Sequence, residues 1–151
     1  MNDRPLKLGF VVNDVATEKD NYTTIRLARR ALAEGHEVAL IGLDGFIYDA
    51  NDTVRAIAHV PRIDGYPDDA ALLAELHGKD ATIERINVEE LDVLMLRSDP
   101  AEEVEDRPWA PTSALLFAQL VTRRGVIVLN DPANLTNASN KTYFQHFPEE
   151  V

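Results

Sequence analysis

Apolar positions fall into two patterns along this chain. Leu6–Val12 (LKLGFVV), Glu37–Leu43 (EVALIGL), Asp92–Leu96 and Val126–Leu129 (VIVL) are short, nearly continuous apolar runs, as expected of strands buried on both faces of a parallel sheet. Between the first two, Ile25, Ala28 and Leu32 recur at three- and four-residue spacing, Leu27 and Ala31 widen the stripe, and Gly35 can close it in a left-handed turn. The spacing predicts a helix over Lys19–Glu34, and strand, helix, strand with tight connections predicts a right-handed parallel crossover. A second helix is predicted over Thr112–Arg124, with Leu115, Leu116, Ala118, Gln119 and Leu120 along it and Gly125 at its stop. The middle of the chain alternates instead. Phe46–Tyr48, Thr53–Val60 (TVRAIAHV) and Ala81–Val88 (ATIERINV) read as half-exposed strands in a small antiparallel excursion, with a weaker helical pattern over Asp68–Leu76. Pro132 and Asn134 open a short helical turn, and Ser139–Phe147 can begin another. The fold class expected is α/β: a Rossmann-like open, mostly parallel sheet with helices on both faces.

Composition narrows the function. At 151 residues the chain suits one core, with no linker or internal repeat. Acidic residues outnumber basic ones 26 to 15, a formal charge of −11, and a field of that sign repels phosphate backbones and anionic lipid. Nucleic-acid and membrane partners are therefore not expected. No apolar run reaches the ~18 residues of a membrane span, and the N-terminus lacks a signal-type apolar region, so a cytoplasmic location is expected. The absence of cysteine removes disulfides, thiolate metal sites and thiol catalysis.

Candidate chemistry lies at the strand ends, where open parallel sheets gather their ligands. The first strand closes on Asn13 and Asp14, the LDVLMLRSDP run on Arg97, Ser98 and Asp99, and the last strand on Asn130 and Asp131. Each residue alone serves equally well as a cap or turn former. The planar guanidinium of Arg97 can take a substrate carboxylate bidentately or close on Asp99 or Asp14 as an ion pair; spacing fits both. His36, His59, His77 and His146 have no metal-ligand spacing, so no metal site is expected. No strand is followed by a glycine-rich dinucleotide motif or a phosphate loop, and Ser98 has no nucleophile elbow. Lys141, in NASNKTYFQHF, reads from spacing alone as a solvated side chain.

Taken in order, the first strand with its polar elbow, the helix ending in Ala-Glu-Gly-His-Glu-Val, the segment Asp44–Tyr48, the LDVLMLRSDP turn, the RRGVIVLNDP strand and NASNKTYF resemble the N-terminal domain of bacterial glutathione synthetase, the domain that precedes the ATP-grasp fold. The resemblance spans nearly the whole chain and is most specific over Leu94–Pro100 and Val128–Phe144. It implies a pre-ATP-grasp, substrate-side domain over residues 1–132, and over 133–151 the start of a connection to an ATP-grasp domain that acts in cis or in trans. Such ligases use ATP and Mg²⁺ to turn a carboxylate into an acyl phosphate that an amine attacks; in glutathione synthetase the carboxylate is that of γ-glutamylcysteine and the amine is glycine. By the same resemblance Asn13, Asp14, Arg97, Ser98 and Asp99 line the side of the cleft that takes a small peptide or amino-acid carboxylate, and Lys141 approaches the nucleotide phosphates. No catalytic residue is implied within this chain, and by itself it is expected neither to hold ATP nor to catalyse.

The first-strand loop departs from the family: Val12-Asn13-Asp14-Val15 stands where glutathione synthetases tend to have a Met-Asp-Pro-Ile type sequence, and the segment after Pro100 is long and acidic (AEEVED). The alternative is a receiver-like signalling or protein-interaction domain, since receivers also open with an apolar strand and an acidic elbow. They also need a lysine-proline after the last strand, where this chain has Asn130-Asp131-Pro132. If a catalytic domain normally covers part of the surface, apolar residues around Trp109, Phe144 and Phe147 are left exposed and a homodimer is expected.

Overall fold

The computed structural model describes residues 4–62, 65–99 and 105–138. Its scaffold is a six-stranded sheet in the order β4-β3-β2-β1-β5-β6. The strands are β1 (Lys7–Val12), β2 (Glu37–Tyr48), β3 (Val54–His59), β4 (Ile83–Asn87), β5 (Val93–Leu96) and β6 (Ile127–Leu129). β1 pairs in parallel with β2 and β5, and β5 with β6, while β3 pairs antiparallel with both β2 and β4. The antiparallel excursion is thus one end of the same sheet. With β3 and β4 antiparallel, the order also departs from the 2-1-3-4-5 sheet of receiver-type folds.

Helices cover both faces, and each face has its own core. α1 (Thr23–Ala33) and α2 (Asp69–His77) lie on one face, where Phe10, Val12 and Leu40 meet Ile25, Leu32, Leu72 and Leu76. α3 (Ala110–Arg123) lies on the other, where Val11, Ile41 and Leu94 meet Ala114, Ala118 and Val121. Successive residues of β1 and β2 alternate between the two clusters, as strand pleating requires. Both faces being apolar is why these strands read as continuous runs. A short α4 (Pro132–Ala138) follows β6, and Ser139–Phe147 lies outside the described residues. No helix among the described residues is long and apolar enough to cross a membrane.

Of the boundaries that differ from the sequence reading, three have a clear physical reason. α1 begins at Thr23, not Lys19: Tyr22 is its N-cap and makes no side-chain cap bond, so the sequence carries no capping signal there. α3 begins two residues early, at Ala110, with a proline in its first turn, a position where the missing N–H costs nothing. The predicted strands Glu37–Leu43 and Phe46–Tyr48 form one strand of 12 residues, whose pairing with β3 changes register between Ile41 and Phe46. Gly45 sits in that irregularity; a Cβ there would stand 2.9 Å from the Ile57 carbonyl oxygen, so only glycine lets β3 approach. Past it, β2 reaches α3, where Phe46 and Phe117 stack with centroids 5.3 Å apart.

Candidate functional site

β1 is the topological switch point of the sheet, because the chain leaves it toward β2 on one side and returns as β5 on the other. Loops leaving adjacent strands there diverge to opposite faces, which opens a crevice at the carboxyl ends. The crevice is present: a cleft of about 510 Å³ runs between the β1 and β5 ends and the start of α1. Asn13, Arg97, Ser98 and Asp99 line it together, joined by Asn130 from the end of β6 and by Glu18, Thr23 and Thr24. Four of the six predicted site residues therefore share one cavity. Asp14 is not among its lining residues, and Lys141 lies outside the described residues.

Arg97 leaves β5 just past the last sheet position, its N–H donating to the Val11 carbonyl at 2.8 Å. Its side chain is exposed, and among the described residues its guanidinium forms no ion pair. The two readings that spacing left open are thereby separated: neither Asp14 nor Asp99 closes on it. The start of α1 faces the same cleft through Thr23 and Thr24, and its N-cap residue, Tyr22, makes no side-chain bond to the first N–H groups. A helix start carries roughly half a positive charge, so both features favour a carboxylate there. Glu18, 8% exposed, brings a buried carboxyl of opposite sign to the wall.

Asp14 is engaged elsewhere. Its carboxylate caps the 3₁₀ turn Val15–Thr17 by accepting from Ala16 N–H at 2.9 Å, and it accepts from Arg107 at 3.1 Å. Arg107 also grips Asp44 at 2.5 Å. The hydrogen bond it donates to Asp44, reinforced by the charges of Asp44 and Asp14, raises the guanidinium pKa against the opposing effect of desolvation. These groups flank a separate hollow of about 290 Å³ beside Gly42 and His59. Sequence reasoning missed Arg107 because it lies ten positions past the Arg97 turn in an acidic stretch without periodicity; only the fold brings it back to β1.

Among the described residues no group of three or more His, Asp or Glu side chains is arranged to hold a metal ion. The cleft brings together an exposed guanidinium, a helix start, hydroxyls and a buried carboxyl.

The family of prokaryotic glutathione synthetase N-terminal domains matches this chain over residues 6–136, which takes in every strand, the cleft and most of α4. No curated protein matches it. With most of the sequence matched and the expected sheet in place, the chain belongs to the prokaryotic glutathione synthetase N-terminal domain family.

Proposed function

We propose that this domain holds the carboxylate-bearing substrate of an ATP-dependent carboxylate–amine ligase and presents it to an ATP-grasp domain, in cis or in trans. The observation that carries the reading is Arg97: a guanidinium left open at the switch-point cleft, beside the start of α1. A small peptide or amino acid suits the mixed polarity of the wall, its carboxylate meeting Arg97. ATP and Mg²⁺ are held, on this reading, by parts outside the described residues, and the described chain supplies orientation, not bond making.

Magnitudes set what the domain does alone. A hydrogen bond to a charged group contributes about 1.5–3 kcal/mol net, whereas millimolar affinity needs about 4.1 kcal/mol. A bidentate carboxylate bond to Arg97 reaches roughly that level. Titration of ¹⁵N-labelled protein with γ-glutamylcysteine is expected to move the amides of Thr23, Thr24, Arg97 and Ser98 with a dissociation constant of about 1 mM or weaker. Shifts confined to other surfaces, or none at several millimolar, would sink the reading. ATP is expected to give no calorimetric signal; a micromolar dissociation constant would place nucleotide binding in this domain instead.

A further inference from the structure

Two asparagines at neighbouring strand ends act on the turn between them. Asn13, 8% exposed, donates from Nδ2 to the Asp99 carbonyl at 2.9 Å and accepts the Asp99 N–H on Oδ1 at 2.6 Å. Asn130, at φ 62°, donates from Nδ2 to the Leu96 carbonyl at 2.6 Å. Backbone pairing has run out at this point. Toward β1 the last rung is the Arg97 N–H to Val11, and toward β6 the ladder ends at Met95 opposite Leu129. A carboxamide carries the same donor and acceptor as a peptide unit. Asn13 therefore continues the β1–β5 ladder by one side-chain rung after the β1 backbone has turned away toward the Val15–Thr17 turn.

We infer that Asn13 is a positioning residue: it locks the Arg97–Asp99 turn from the β1 side, Asn130 braces it from the β6 side, and together they fix where the Arg97 guanidinium opens into the cleft. Both amide atoms of Asn13 are engaged by the Asp99 backbone, so Asn13 acts on a ligand through Arg97. Set against the Met-Asp-Pro-Ile type sequence of the proteins it resembles, Asn13 stands where they tend to carry aspartate, whose ionised carboxylate accepts but cannot donate to the Asp99 carbonyl, so the two-way lock belongs to the loop of this chain. The inference rests on the carboxylate-binding reading only where affinity is concerned.

The test uses the ¹⁵N-labelled 151-residue chain, its Asn13→Leu and Asn13→Asp variants, and γ-glutamylcysteine as the probe. Removing two buried hydrogen bonds should speed hydrogen exchange of the Asp99 amide by about tenfold or more while α3 amides keep their rates. It should also broaden the order of the Arg97 Nε–H group in relaxation data and weaken the probe by about tenfold. Asn13→Asp gives an internal rescue: its protonated carboxyl has a donor and an acceptor, so the lock should return at low pH and open as the pH rises. Should Asn13→Leu fail to fold, the unmodified chain decides, through the scalar coupling across the bond from Asn13 Nδ2–H to the Asp99 carbonyl. Unchanged Asp99 exchange in the variants, or no such coupling, overturns the lock. A freed turn with unchanged Arg97 order and unchanged affinity overturns the positioning role. If the unmodified chain leaves the probe unbound, the carboxylate reading fails, and the inference is then decided by exchange and Arg97 order alone.

Discussion

Two arginines in this protein show how a single residue type is put to opposite uses. Arg124, just past α3, is closed on every side: it donates to the Asp52 carbonyl at 2.5 Å, to the Asp52 carboxylate at 2.9 Å and to Glu89, and stands over the Tyr48 ring at 5.9 Å. Tyr48 donates its hydroxyl to the same Asp52 carboxylate, and Glu89 also accepts the Val54 N–H at 2.8 Å. This corner ties the β2–β3 hairpin to α3. Arg97, at the β1–β5 end, has its backbone fixed just as firmly and its guanidinium left open. A guanidinium gripped by several acceptors holds the fold; one that is fixed at its root and open at its tip can hold a ligand. Sequence spacing does not distinguish the two, because the acceptors that close on Arg124 come from segments distant in the chain.

The contrast can be broken from the closed side first. Phe46→Ala removes the ring stacked on Phe117 and is expected to cost about 3–5 kcal/mol by urea denaturation, with little change at Thr23, Thr24 or Arg97 in amide spectra beyond that loss. A cost below about 1 kcal/mol would mean that the hairpin end does not pack on α3 as described. Arg124→Ala is next: the urea midpoint is expected to fall clearly at neutral pH, with probe binding at the cleft preserved. Acidification should shrink that difference. The Tyr48 hydroxyl, and then Arg124, hold the Asp52 carboxyl below its ordinary value. The stabilisation is therefore complete above the ordinary carboxylate range and is lost as pH falls through that range and below. The midpoints of wild type and Arg124→Ala should converge toward low pH; a gap that widens there would contradict the assignment. The smallest effect on stability is expected from Arg97→Ala, within about 0.5 kcal/mol of wild type, together with loss of the γ-glutamylcysteine shifts. Appreciable destabilisation would move Arg97 into the same class as Arg124.

The legibility of the sequence follows the same division. β1, β5 and the body of α1 were readable because burial on one or both faces imposes a period, and Gly35, at φ 83°, ends α1 where a left-handed turn is needed; β6 was readable as an apolar run, but it lies at the sheet edge with Ile127 and Leu129 exposed and not buried on both faces as expected. The continuity of β2 was hidden, since Asp44 and Gly45 look like a turn when read locally and become strand only because β3 pairs across the irregularity. At the site, Asn13, Arg97, Ser98 and Asp99 could be gathered from the rule that strand ends converge. The distinct duties of Asn13, locking a turn, and of Asp14, capping a 3₁₀ turn and pairing with Arg107, could not. Those depend on which way each side chain leaves the end of β1, and adjacent residues leave it in opposite directions.

The central place of β1 also orders events during synthesis. One of its flanks is matched by β2, whose first half ends about thirty residues later, but the other waits for Val93–Leu96, which leave the ribosome only after the whole antiparallel arm. Until then the nascent chain carries an unfilled parallel edge next to Val11 and Gly9. The polar rung made by Asn13 can close only once Asp99 has emerged, so the cleft at the switch point is among the last features that a growing chain completes.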